Sequence, residues 1–179
     1  MNISLTNRLI LVLMLLAITA GAQPTAPAPE KSAATLISVG QMVPDFKFEI
    51  AKGKSASIKE YRGKMVLINF FATWCAPCRR ELPLVQQRIW DKWKNNPKFA
   101  MLTFGREHSW DEVVKFGDAQ KLAFPLLPDP ERKVYARFAT QTIPRSFLID
   151  ETGKVIFTSE DFNESHFNEL VKIIDAKLQ

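Results

Sequence analysis

The chain has 179 residues, 46% hydrophobic and 24% charged, with Lys+Arg 24 against Asp+Glu 19 and a net charge of +5. That balance belongs to a globular protein and excludes a disordered or collagen-like chain. Two cysteines are too few for a disulfide scaffold, and no basic run is longer than a pair such as Arg79-Arg80, so the surplus charge does not make a nucleic-acid binder.

The first segment reads as an address. One cation, Arg8, precedes the apolar run Leu9 to Ile18, which ends at Thr19-Ala20-Gly21-Ala22. Ala20-x-Ala22 has the form of a signal-peptidase site, which predicts a signal peptide over 1–22 and cleavage before Gln23. The apolar or small run, 14 positions long, falls short of the roughly 20 residues of a bilayer span. An uncleaved membrane anchor is therefore the lesser alternative. Residues 23–39, opening with QPTAPAPE, read as a flexible linker, and 40–179 as one domain. Export to the periplasm or cell envelope puts the chain in an oxidising compartment where disulfides persist.

Beyond the linker, Phe46 to Ile50 alternates at period two and predicts a strand, with a turn at Gly53 and a short returning strand over Ser55 to Ile58. Met65 to Phe71 (MVLINFF) is continuously apolar, the pattern of a strand buried on both faces. Residues 77–94 have helical periodicity, with Leu82, Val85, Ile89 and Trp93 on one stripe. Phe99 to Phe104 is a further strand. Ser109 to Lys121 predicts a helix with Ser109 as N-cap and Glu112 at the capping-box position. Phe124 to Leu127 reads as a short extended piece and Pro130 to Phe138 as a helical segment. Ser146 to Thr158 reads as a hairpin turning at Gly153, and Asn163 to Leu178 as a closing amphipathic helix. The strand–helix–strand middle and the hairpin end together predict an α/β fold: a mixed central sheet with helices on both faces and an N-terminal β-hairpin extension.

The chemistry concentrates at Trp74-Cys75-Ala76-Pro77-Cys78. A CxxC here follows a buried strand and opens a helix, where free N–H groups and the helix dipole favour a thiolate. Cys75 is expected to be the exposed attacking thiol and Cys78, one turn further in, the shielded resolving thiol. Pro77 suits the first turn, where no N–H is needed. A zinc site needs about four ligands, and the chain offers two cysteines with His108 and His166 only. A purely structural disulfide closing so short a loop contributes little. The redox reading of CxxC beside a βαβ pattern is the sharper one, with no metal and no cofactor expected.

The segment Asn69 to Cys78 (NFFATWCAPC) resembles the active-site segment of the thioredoxin family. More narrowly it is similar to the exported TlpA/ResA-like thiol–disulfide oxidoreductases. Pro83 matches that family's helix-kinking proline, Thr142-Ile143-Pro144 its cis-proline loop, and Val43-Pro44-Asp45-Phe46 the opening of the TlpA/ResA branch. The resemblance implies a thioredoxin-like three-layer fold over roughly 40–178. It implies a cis peptide before Pro144 and a client-binding surface of Trp74, Ala76, Pro77, Ile143 and Pro144. Thioredoxin has a buried aspartate where this chain has Asn69, so that proton acceptor is absent. ResA-like proteins place a functional glutamate where this chain has Glu81. Three positions on a helix is about 300°, so Glu81 can lie near Cys78 and take its proton. The bland alternative is a solvated glutamate paired with Arg80 or Arg88. Arg145 is expected to be solvated, with contact to an acidic partner as the alternative, His108 to be a loop histidine, and His166 to lie on an exposed helix face.

The function so implied is reduction of disulfides in client proteins, Cys75 attacking and Cys78 resolving. A membrane electron donor is implied by resemblance alone. An oxidase or isomerase is the nearest alternative. Oxidants of the DsbA kind usually carry a histidine inside the motif and a large helical insertion, whereas this chain has Ala76-Pro77 and one inserted helix. A thiol peroxidase would have a threonine three positions before the cysteine, where this chain has Ala72. A noncatalytic binding module would keep its clients after Cys75→Ser.

Overall fold

The computed structural model describes residues 32–179; the expected signal peptide and the first part of the expected linker lie outside the described residues. Strand β3 (Met65–Phe71) is buried at all seven positions and forms the middle of a five-stranded sheet. The order is β5 (Leu126–Asp129), β4 (Phe99–Arg106), β3, β6 (Arg145–Ile149), β7 (Val155–Glu160). β3 runs parallel to β4, and β4 to β5, whereas β6 is antiparallel to both β3 and β7. A strand with neighbours on both edges and layers on both faces must be apolar throughout, and the sequence MVLINFF is apolar but for Asn69.

Alternation along β3 divides the core. Met65, Leu67 and Phe71 face the α-helical layer: α1 (Ala76–Val85), α3 (Trp110–Gln120) and α4 (Glu164–Leu178). Val66, Ile68 and Phe70 face the other layer. There the antiparallel hairpin β1 (Lys47–Ala51) and β2 (Lys54–Ser57) packs with 3₁₀ turns at Ile58–Tyr61 and Tyr135–Arg137. Phe70 is the hub of that layer, its ring centroid 5.2 Å from Tyr135, 5.3 Å from Phe138, 5.7 Å from Phe104 and 6.3 Å from Phe147.

Three segments differ from expectation. The helix predicted over 77–94 starts at Ala76 and changes to a π turn at Gln86–Trp90 before a last α-helical turn, α2 (Asp91–Trp93). Pro83 lies inside α1 and cannot donate to the Arg79 carbonyl, which loosens the ladder just ahead of that change. Pro130 to Phe138 forms only one 3₁₀ turn, because Asp129 takes the Val134 and Tyr135 N–H groups at 3.0 and 2.8 Å. The end of the expected linker is not free chain. Ala34 and Ile37 are buried, Leu36 N–H donates to Phe138 at 2.9 Å, and Thr35 bridges to Ala139. These residues cover the edge of the Phe138 layer. The α3 helix follows its prediction closely: Ser109 caps it and both halves of the capping box with Glu112 are formed. No helix of the described residues is long and apolar enough to cross a membrane.

The Phe70 hub sets a stability expectation. Phe70→Ala should lower the unfolding free energy by about 3–5 kcal/mol, measured by urea denaturation. A loss under about 1 kcal/mol would contradict the hub assignment.

Candidate active site

The site sits where β3 ends and α1 begins. Cys75 is the N-cap of α1, and its sulfur accepts the Cys78 N–H at 3.2 Å. The two sulfurs are bonded, with Cα atoms 5.3 Å apart. Cys78 is fully buried and Cys75 only 4% exposed, so the cysteine expected to be exposed is itself buried in the disulfide form. What covers it includes the loop before β6, whose Ile143 carbonyl oxygen lies 3.8 Å from Cys75 Sγ. The Ile143–Pro144 peptide is cis. Around the sulfurs, Trp74 is 65% exposed and so is no core tryptophan; Ala76 is exposed, Pro77 and Ile143 are half-buried, and Pro144 is buried.

Glu81 is 3% exposed and pairs with neither Arg80 nor Arg88. Its Oε2 accepts from Asn69 Nδ2 at 3.1 Å, and the other Asn69 N–H donates to Ser146 Oγ at 3.0 Å. Burial pushes the Glu81 carboxyl up to about 7; the Asn69 hydrogen bond opposes that rise and the negative Asp161 adds to it. Asn69 pairs in register with Thr103 on one side and Ser146 on the other, so a row of small polar side chains crosses the sheet beneath α1. The sequence signals the loss of a titratable group at 69. It does not signal that Asn69 instead holds the carboxyl of Glu81.

Arg145, expected to be solvated, and His108, expected to be a loop histidine, are structural parts of the site. His108 is 4% exposed, and its Nε2 accepts the Thr73 N–H at 2.9 Å, bracing the segment just before the cysteines. That acceptor role leaves the ring proton on Nδ1, 3.6 Å from Glu112 Oε1. Gly105 makes the room, since a Cβ there would come within 2.6 Å of Val113 and 3.2 Å of His108. A glycine ending an apolar strand was the available signal. Arg145 is 1% exposed. It donates to the Gln141 and Thr142 carbonyls at 2.9 and 3.2 Å and to Thr35 Oγ1 at 2.7 Å, with Glu160 3.0 Å away. Tyr135 O–H donates to the same Thr142 carbonyl at 2.7 Å. Arg145 and Tyr135 thus hold the loop that faces Cys75. His166 is exposed on α4 as expected. Among the described residues no cluster of three or more His, Cys, Asp or Glu side chains is placed to hold a metal ion.

A strand-end CxxC at a helix start, on this sheet, defines a thioredoxin-like thiol–disulfide oxidoreductase. Residues 39–158 match the AhpC/TSA family, and the chain belongs to it. It is 33% identical over 121 residues to the thiol-disulfide oxidoreductase ResA of Geobacillus thermodenitrificans, covering 68% of each chain. Among solved structures it is similar to a Bacteroides thetaiotaomicron protein classed provisionally as a protein disulfide isomerase. That match has a TM-score of 0.78 and 33% identity, over 83% of this chain and 94% of the other. StoA of Bacillus subtilis superposes with a TM-score of 0.57 and 27% identity, over 71% of this chain and 96% of its own.

The buried carboxyl predicts a pH dependence of stability. Its folded value of about 7 lies above the ordinary 4.5, so the folded state binds the proton more tightly than the unfolded chain. Glu81 therefore contributes stability in full below pH 4.5, lost as pH rises through about 7. The oxidised protein should lose about 3 kcal/mol more than Glu81→Gln across that window, read by urea unfolding at stepped pH. Parallel pH profiles would show that Glu81 is ordinarily ionised.

Proposed function

We propose that the protein is an exported reductase of protein disulfides, working in the periplasm or cell envelope after removal of residues 1–22, with residues 32–179 as its catalytic domain, the end of the expected linker included. The carrying observation is Cys75 capping α1 with its sulfur on the Cys78 N–H at 3.2 Å. In the reduced protein that N–H and the helix dipole favour the Cys75 thiolate.

The thiolate attacks one sulfur of a client disulfide. A Cys75–client disulfide forms, and the client's other sulfur leaves as thiolate and takes a proton. Cys78 then loses its proton to the Glu81 carboxylate and attacks Cys75 Sγ. The Cys75–Cys78 disulfide forms, and the second client sulfur leaves and is protonated in turn. Two electrons pass to the client, and of its two protons one comes from Cys78 by way of Glu81 and the other from solvent. A carboxyl near 7 suits both halves of that proton transfer. Trp74, Ala76, Pro77, Ile143 and Pro144 make the surface that the client meets, and the half-buried Ile143 backbone can pair with an extended client segment. A dithiol donor, membrane-bound by resemblance to the TlpA/ResA branch, restores the reduced form. The reducing direction is favoured by a single inserted helix, α3, and by Ala76-Pro77 between the cysteines.

Asymmetry between the cysteines is the test. Reduced Cys78→Ala, mixed with a peptide disulfide, should stall as a stable mixed disulfide on Cys75, seen as a mass increase of one peptide chain. Cys75→Ala should trap none. Equal trapping by the two variants would overturn the assignment of roles.

A further inference from the structure

Arg106, at the end of β4, is placed without a use in the chemistry above. Its guanidinium carbon lies over the Trp74 ring at 5.6 Å and over the Tyr135 ring at 5.4 Å. Trp74 is 65% exposed and directly precedes Cys75, so this stack forms one wall of the approach to the disulfide. The Arg106 side chain is only 13% exposed, and its Nε is sealed from solvent with no hydrogen-bond partner among the described residues. A buried, unsatisfied donor on a charged group is costly, and guanidinium edges are built to take a carboxylate through paired N–H groups.

The neighbourhood supplies a carboxylate only as a long ion pair. Glu107 is the nearest, with Oε2 3.5 Å from Arg106 Nε and Oε1 3.6 Å from Arg132 Nη1. Neither contact is a hydrogen bond, and one carboxylate is shared between two cations. Arg132 also stands over Tyr135, at 5.3 Å, and its own fork is engaged on the Thr140 carbonyl at 2.9 Å. Asp129, opposite Arg106 in the β4–β5 register, has its carboxylate engaged by the Val134 and Tyr135 N–H groups, so no carboxylate of this group is hydrogen-bonded to the Arg106 guanidinium. Arg79 and Arg80, exposed in the first turn of α1, add positive charge on the cysteine helix.

We propose that Arg106, held by Trp74 and Tyr135, is a carboxylate-reading subsite that selects client segments with an aspartate or glutamate near the cysteine to be reduced. The proposal rests on the disulfide-reductase reading and names its substrate class. A client lying past Trp74 brings such a side chain to Arg106 within about three residues of its cysteine, at roughly 3.3 Å per extended residue. Arg106 is then a specificity residue that leaves the exchange chemistry to the cysteines.

The test is the reaction of the reduced protein with matched peptide disulfides, followed by stopped-flow tryptophan fluorescence. Each peptide carries Glu or Gln at one of five successive positions from its cysteine. At one or two of those positions the Glu peptide should react on the order of tenfold faster than the Gln peptide, the scale of one charge-assisted hydrogen bond. The Glu/Gln ratio is read within each variant, so a general loss of activity does not disguise the result. It should fall close to one in Arg106→Gln and to an intermediate value in Arg106→Lys, which keeps the charge without the planar fork. Equal Glu and Gln rates at every position in the wild type would overturn the subsite. So would a preference that persists in Arg106→Gln, which would assign it to the general field of Arg79 and Arg80. Failure of the wild type to reduce either kind of peptide would instead overturn the reductase reading itself.

Discussion

One buried hydrogen bond ties the central strand to the cysteine helix: Asn69 Nδ2 on Glu81 Oε2 at 3.1 Å. Taking an ionised carboxylate out of water costs several kcal/mol unless a cation or several donors receive it, and Glu81 is received by one neutral amide. The carboxyl therefore holds its proton up to about 7, and the strand–helix contact stays close to neutral. The arrangement is economical in sequence. Asn69 lies on β3, which the sheet must bury anyway, and Glu81 lies one turn beyond Cys78 on the helix that β3 leads into. Placing the disulfide at the end of β3 thus puts a titratable group one turn further along the same helix.

The surrounding residues hold the opening of the site. His108 fixes the chain before the cysteines through the Thr73 N–H. Arg145 and Tyr135 fix the loop opposite through the Gln141 and Thr142 carbonyls. These polar groups are largely removed from water, and most of their bonds run to backbone, so they specify where the chain goes rather than react. Arg145 also reaches Thr35, which makes residues 32–39 part of the support of the active site. A side chain of that size, 1% exposed, cannot relax toward solvent if a partner is removed.

What the sequence reveals divides along the range of the interaction. Met65 to Phe71 announces a central strand because its apolar run needs no partner to be recognised. Ser109 and Glu112 announce a helix start because both halves of the capping box lie within one turn. Cys75 and Cys78 are legible for the same reason. Arg145 and His108 read as loop residues because the side-chain and backbone groups that bury them, Thr35 for Arg145 and Thr73 for His108, are 110 and 35 positions away. Asn69 reads as the loss of an acid because its partner lies 12 positions on, across the turn from strand to helix. Pro130 to Phe138 reads as a helix on composition, yet the Asp129 carboxylate captures the two N–H groups that would have started one. Local patterns are sufficient for most of the elements, and the polar supports of the site are decided by the fold.

The claim that the Cys75–Cys78 couple serves to reduce clients is tested most directly by its reduction potential, measured against defined thiol buffers. Thioredoxin stands near about −270 mV and the strong oxidant DsbA near about −120 mV. A reductase of clients should show a value below roughly −230 mV, on the reducing side of that range. A value above roughly −180 mV would contradict the claim and make the protein an oxidase or isomerase.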